Sequence, residues 1–98
     1  MEFLVEFDIR VPAGTPETEV EDREGAEAIA AAKLVAEGHL VRLWKLPAEP
    51  KVLGLYRAES EAELNALLGA LPLYEWMGVT ITTLEVHPND PPHRQDAA

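Results

Sequence analysis

The chain has 98 residues, enough for one domain with a single core, and a domain this small buries too little surface to be far from marginal stability alone, which favours self-association. Its 18 acidic and 8 basic residues leave a formal charge of −10, so most of the surface repels nucleic-acid phosphates and anionic membranes. The lack of cysteine excludes disulfides, a thiol nucleophile and thiolate metal sites, and no run is long and apolar enough to span a bilayer; the expectation is a cytoplasmic protein with neither nucleic-acid nor membrane partners.

Residues 2 to 11 alternate with period two, Phe3, Val5, Phe7 and Ile9 on one face and Glu2, Leu4, Glu6, Asp8 and Arg10 on the other, which predicts a strand. With its acids and no unbroken apolar run, this stretch does not read as a secretory signal. Pro12, Ala13 and Gly14 end it. Thr15 is placed to cap a helix with Pro16 at its first position and Glu17 at its positive end, and the helix is expected to run to about Glu37, stopped by Gly38. Spacings of three and four put Val20, Arg23, Glu27, Ala30, Ala31 and Leu34 on one stripe of it. In the middle of that stripe Glu27 has three readings: it snorkels to the edge, it pairs with Arg23 one turn before, or it faces a cavity and does chemistry.

His39 to Arg57 reads as two strands joined by a turn in which Pro47 and Pro50, without backbone donors, bracket Ala48 and Glu49. Strict alternation places Leu40, Arg42, Trp44 and Leu46 on one side and His39, Val41, Leu43 and Lys45 on the other, with Val52, Leu53, Leu55 and Tyr56 supplying the return strand. Both faces carry apolar residues, so this hairpin is expected at the centre of a sheet. Ser60 and Glu63 form a capping box before a second helix, whose apolar face is Leu64, Leu67, Leu68 and Leu71 and which Pro72 closes. Leu73 to Gly78, carrying Tyr74, Trp76 and Met77, is expected to be a connection that lids the core, walls a pocket or meets another subunit. Val79 to Val86 predicts the last strand. Residues 1–88 are thus read as a single domain, and residues 89–98 as a polar tail or exchanged arm.

Strand, helix, strand, strand, helix, strand is the order of the ferredoxin-like α+β fold, a four-stranded antiparallel sheet with two helices on one face. Two helices cover one face only. A second copy is therefore expected against the other face, giving a dimeric α/β barrel with a ligand pocket enclosed between sheet and partner.

Ser60, the lone serine, is used as a helix cap, and His39, His87 and His93 have no metal-ligand spacing. The six glycines form no phosphate-binding or dinucleotide fingerprint, so neither a metal nor a cofactor is expected. A carboxylate, arginines and aromatic walls remain. That set suits proton transfer on a small organic acid, with a base whose pKa burial raises and a guanidinium for the substrate's carboxylate.

Pro12 after the first strand, Glu27 in the first helix, Glu37 and Gly38, Leu43 and Trp44 followed by basic Lys45, Leu71-Pro72-Leu73 with Tyr74 and Met77 behind, and the closing His87 and Pro88 form a pattern in register over most of the chain. In this pattern the chain resembles the muconolactone delta-isomerase family. The resemblance implies a cofactor-independent isomerase of aromatic-compound catabolism, in the beta-ketoadipate pathway, that converts muconolactone to 3-oxoadipate enol-lactone. It also implies a homo-oligomer, a dimer or a larger ring such as a decamer, acting on a small-molecule substrate. Carried over, the catalytic position falls on Glu27; Arg42 or Arg23 anchors the acetate side chain, and Trp44, Tyr74 and Trp76 exclude solvent, with His39 and His87 as pocket-edge donors. From the residues alone, Trp44 is a core or interface ring.

The chain departs from the family pattern at three places: Glu24 stands where a lysine is frequent, Arg42 replaces a histidine, and Ala48, Glu49 and Pro50 replace glycine, histidine and an aromatic. Glu24 near Glu27 is expected to raise the pKa of one carboxylate and to weaken binding of an anion. Other readings stay open: a cyclase, dehalogenase-like or monooxygenase-like activity on the same barrel, or a non-catalytic small-molecule-binding or assembly module in which Glu27 pairs with Arg23.

Overall fold

A computed structural model describes residues 1–92. The elements are β1 (Glu2–Ile9), α1 (Glu17–Ala36), β2 (Leu40–Lys45), β3 (Lys51–Arg57), α2 (Glu61–Gly69) and β4 (Met77–Leu84), with one 3-10 turn over Tyr74–Trp76. The strands form a single antiparallel sheet in the order β2-β3-β1-β4, and with two helices this is the ferredoxin-like α+β fold. Most of the tail expected from residue 89 onward, His93 included, lies outside the described residues.

The interior strands of the sheet are β1 and β3, so the hairpin supplies only its return strand to the centre. β1 pairs with both β3 and β4, and its inward Phe3 and Val5 are fully buried. β2 pairs with β3 alone and leaves five of its six residues exposed. An edge tolerates the charged Arg42 and Lys45 on β2, whereas the clean alternation of β1 suits a strand flanked on both sides.

A bulge breaks the alternation expected of β2. Leu40 pairs with Tyr56 but Arg42 with Leu55, so Val41 is an extra residue and every side chain after it changes face. Leu40 and Leu43 therefore share the helix-covered side with Tyr56 and Gly54, while Arg42 and Trp44 turn to the open side, the guanidinium 5.1 Å from the ring centroid. The expected grouping of Leu40 with Arg42 and Trp44 is corrected by that one residue.

Thr15 does not cap α1. Its hydroxyl donates to the Pro12 carbonyl at 2.6 Å across a turn in which Gly14 takes φ 84°, and the Pro16 carbonyl instead accepts the first helical amides, from Glu19 and Val20. At the other end Gly38, φ 80°, donates to the Val35 carbonyl at 3.0 Å and His39 donates to Leu34 at 2.9 Å, the paired bonds of a glycine-terminated helix. The Ser60 hydroxyl accepts from the Glu63 amide at 3.1 Å to start α2. Leu34, Leu64, Leu68 and Leu71 then pack on Phe3, Val5, Phe7 and Tyr56 to form the core. β4 begins and ends two residues before the predicted Val79 to Val86, because Met77 already pairs with Ile9 and the partner strand runs out at Glu2 opposite Leu84.

Candidate active site

A half-open cavity of about 290 Å³ lies between α1 and the sheet. It is on the helix-covered face of the sheet, within one protomer. Small residues on the helix, Ala28 and Ala31, face large ones on the sheet, Phe7 and Tyr56, and leave the space unfilled.

Glu24 and Glu27 of α1 both line the cavity. The Glu27 carboxylate accepts a hydrogen bond from the Leu73 amide at 3.1 Å, which fixes the helix against the chain that follows α2. Burial pushes its pKa above the ordinary carboxylate value of 4.5, and the Leu73 bond pulls part of the way back. Burial, rather than the Glu24 charge expected from the sequence, is the leading cause.

Tyr56 on β3 was not singled out from the sequence as a site residue. Its side chain is buried, its ring meets Phe7 edge-on with centroids 6.0 Å apart, and it lines the same cavity as Glu27. Burial and the negative charge of Glu27 push its pKa up to about 12, so the phenol keeps its proton and remains a donor. Gly54 makes room for it: a Cβ there would collide with the Tyr56 ring and press on Leu43. A glycine two residues before an aromatic on an inward strand face was the available signal.

The remaining predicted site residues lie elsewhere. Arg23 pairs with Glu75 and with Glu19 at 3.5 Å, donates to the Pro72 carbonyl at 3.3 Å and lies over the Trp76 ring at 4.4 Å, so it ties α1 to the 3-10 turn and forms no ion pair with Glu27. Trp76 is buried beneath it and Tyr74 is exposed. Arg42 and Trp44 are on the open sheet face. His39 Nδ1 sits 2.8 Å from the Arg57 carbonyl, which only a protonated nitrogen can serve, and His87 Nδ1 accepts from the Asn89 amide at 2.9 Å. Of the predicted set, Glu27 alone lines the cavity; Arg23, Arg42, Trp44, Tyr74, Trp76 and His39 do not.

A ferredoxin-like protomer that sets a half-buried carboxylate and a protonated phenol in an apolar cavity defines a class of small proteins equipped to move a proton on an organic ligand. The chain belongs to the muconolactone delta-isomerase family, whose sequence model matches residues 1–90. A muconolactone delta-isomerase from Cupriavidus pinatubonensis is 30% identical over 89 residues, covering 91% of this chain and 97% of that one. Another, from Acinetobacter baylyi, is 26% identical over 89 residues, covering 91% and 93%. The fold matches a crystal structure of muconolactone isomerase with a TM-score of 0.87 at 22% identity, over 96% of this chain and 98% of the other. A 5-chloro-2-hydroxyhydroquinone dehydrochlorinase from Burkholderia phenoliruptrix matches with a TM-score of 0.66 at 14% identity, over 93% and 100%.

Proposed function

We propose that this chain is a cofactor-independent isomerase of aromatic-compound catabolism that moves the double bond of a small unsaturated lactone, muconolactone to 3-oxoadipate enol-lactone or a close analogue, with Glu27 as the acid–base group. The observation that carries the proposal is the placement of Glu27 beside Tyr56 in an apolar cavity. The Glu27 carboxylate removes the ring proton conjugated through the double bond to the lactone carbonyl. Charge spreads onto the carbonyl oxygen, where the Tyr56 hydroxyl is the neutral donor at hand. The Glu27 carboxyl then returns the proton to the carbon next to the carbonyl, so one C–H bond breaks, one forms, and no electron leaves the substrate. Apolar walls keep water from intercepting the proton between the two halves.

Purified protein incubated with muconolactone in deuterium oxide is expected to exchange ring protons. Glu27→Gln lowers that exchange by about 10²–10⁴-fold, the range general acid–base groups contribute. Full exchange in a folded Glu27→Gln variant removes Glu27 from the role.

The open sheet face carries Leu4, Leu53, Leu55 and Trp44 among the ion pairs of Glu6 with Lys51 and Glu2 with Arg57. Apolar residues framed by both signs of charge suit a self-complementary contact, and we assign that face to a second copy of the chain. No helix among the described residues is long and apolar enough to cross a membrane.

A further inference from the structure

Given the isomerase reading above, on which this inference rests, we propose that the Glu27 cavity selects an uncharged unsaturated lactone, such as an ester or an alkyl-substituted ring, over one that bears a free carboxylate. Two carboxylates, Glu24 and Glu27, line the cavity, and among the described residues no lysine, arginine or histidine does. The rest of the lining is alkyl and aromatic apart from the Tyr56 phenol. An anionic substituent in this space meets like charge and loses its water without gaining a partner.

Arg23 and Arg42 are committed elsewhere. Arg23 is held by Glu75, Glu19, the Pro72 carbonyl and the Trp76 ring; turning it inward would break all four contacts. Arg42 is on the other side of the sheet, stacked on Trp44. Lys45 and Lys51 line an adjoining cavity, beyond the shared residues Ile9, Leu43 and Val52; Glu49 stands in that same lining, and Lys51 is paired with Glu6 at 3.6 Å and with Glu49 at 4.0 Å. Leu43, half exposed where the two cavities meet, presents an alkyl surface to whatever substituent the ring carries.

Muconolactone and its methyl ester form a matched pair that differs in one charge. Each is titrated into the full-length protein by calorimetry, and each is followed for proton exchange in deuterium oxide, with the wild type, Glu24→Gln, Glu24→Lys and Lys45→Ala. The ester is expected to bind about tenfold more tightly or better, the discrimination that one like-charge contact supplies near a protein surface. Glu24→Gln narrows the gap and Glu24→Lys reverses it; Glu24 is on the exposed edge of α1, so both variants fold. Equal or tighter binding of the free acid overturns the inference, most directly if Lys45→Ala then abolishes it, and so does failure of the ester to bind. If the ester binds preferentially but neither compound exchanges protons, the isomerase reading fails while the charge selection stands.

Discussion

Glu27 shows how one side chain can couple chemistry to pH. Its pKa is raised in the folded protein, so the neutral form is the one the fold favours; the resulting stability is full below the ordinary value of 4.5 and is lost as pH rises through the shifted pKa. Thermal unfolding followed between pH 4 and 7 is expected to show stability falling across the window just above about 4.5, with a flatter profile in Glu27→Gln. With Glu27 as the proposed base, the same shift is expected to place the acid limb of kcat/KM above the ordinary carboxylate range, because a base must be ionised to act. Tyr56→Phe keeps the ring and its contact with Phe7 and removes only the hydroxyl. It is expected to lower kcat by about 10²-fold, as loss of an oxyanion donor does, with little change in the unfolding midpoint; an unchanged kcat removes the phenol from the mechanism.

At the scale of elements, two glycines do different work. Gly38 ends α1 at φ 80°, where an L side chain crowds its own carbonyl, so Gly38→Ala is expected to cost about 1–2 kcal/mol, read as a lower denaturation midpoint. Nothing lies within contact of a Cβ at that position, so the cost is conformational and activity per folded molecule is retained. Gly54 is in ordinary strand geometry, yet a Cβ there meets the Tyr56 ring. Gly54→Ala is therefore expected to displace the phenol and impair turnover more than Gly38→Ala does, even at equal stability, and paired measurements of kcat and melting temperature separate the two effects.

For the whole molecule, the sheet divides two tasks between its faces. The covered face holds the core and the Glu27 cavity, and the open face holds Leu53, Leu55 and Trp44. Leu55→Glu puts a charge at the middle of the open face, opposite Leu4 and Arg42. It is expected to move the protein to monomers in sedimentation analysis; an unchanged mass sends the subunit contact to another surface. The cavity lies on the opposite side of the sheet, so the monomer retains ligand binding wherever it remains folded.

Element order, the β1 face of Phe3, Val5 and Phe7, the Gly38 stop and the Ser60 cap were all legible in the sequence, because each rests on contacts within a few residues or on simple periodicity. So was the α1 stripe that carries Glu27, which by itself left three orientations open for the carboxylate. What the chain alone did not reveal depends on partners distant in sequence: β1 at the centre beside β3 with β2 left at the edge, and the bulge at Val41 that sends Arg42 and Trp44 to the open face. The fate of Arg23 is of the same kind, since its spacing offered Glu27 while Pro72, Glu75 and Trp76 offered more contacts from some fifty residues away. Local spacing lists the partners a side chain can reach along its own helix; tertiary packing adds competitors from elsewhere, and here those competitors left Glu27 free of arginine and beside Tyr56.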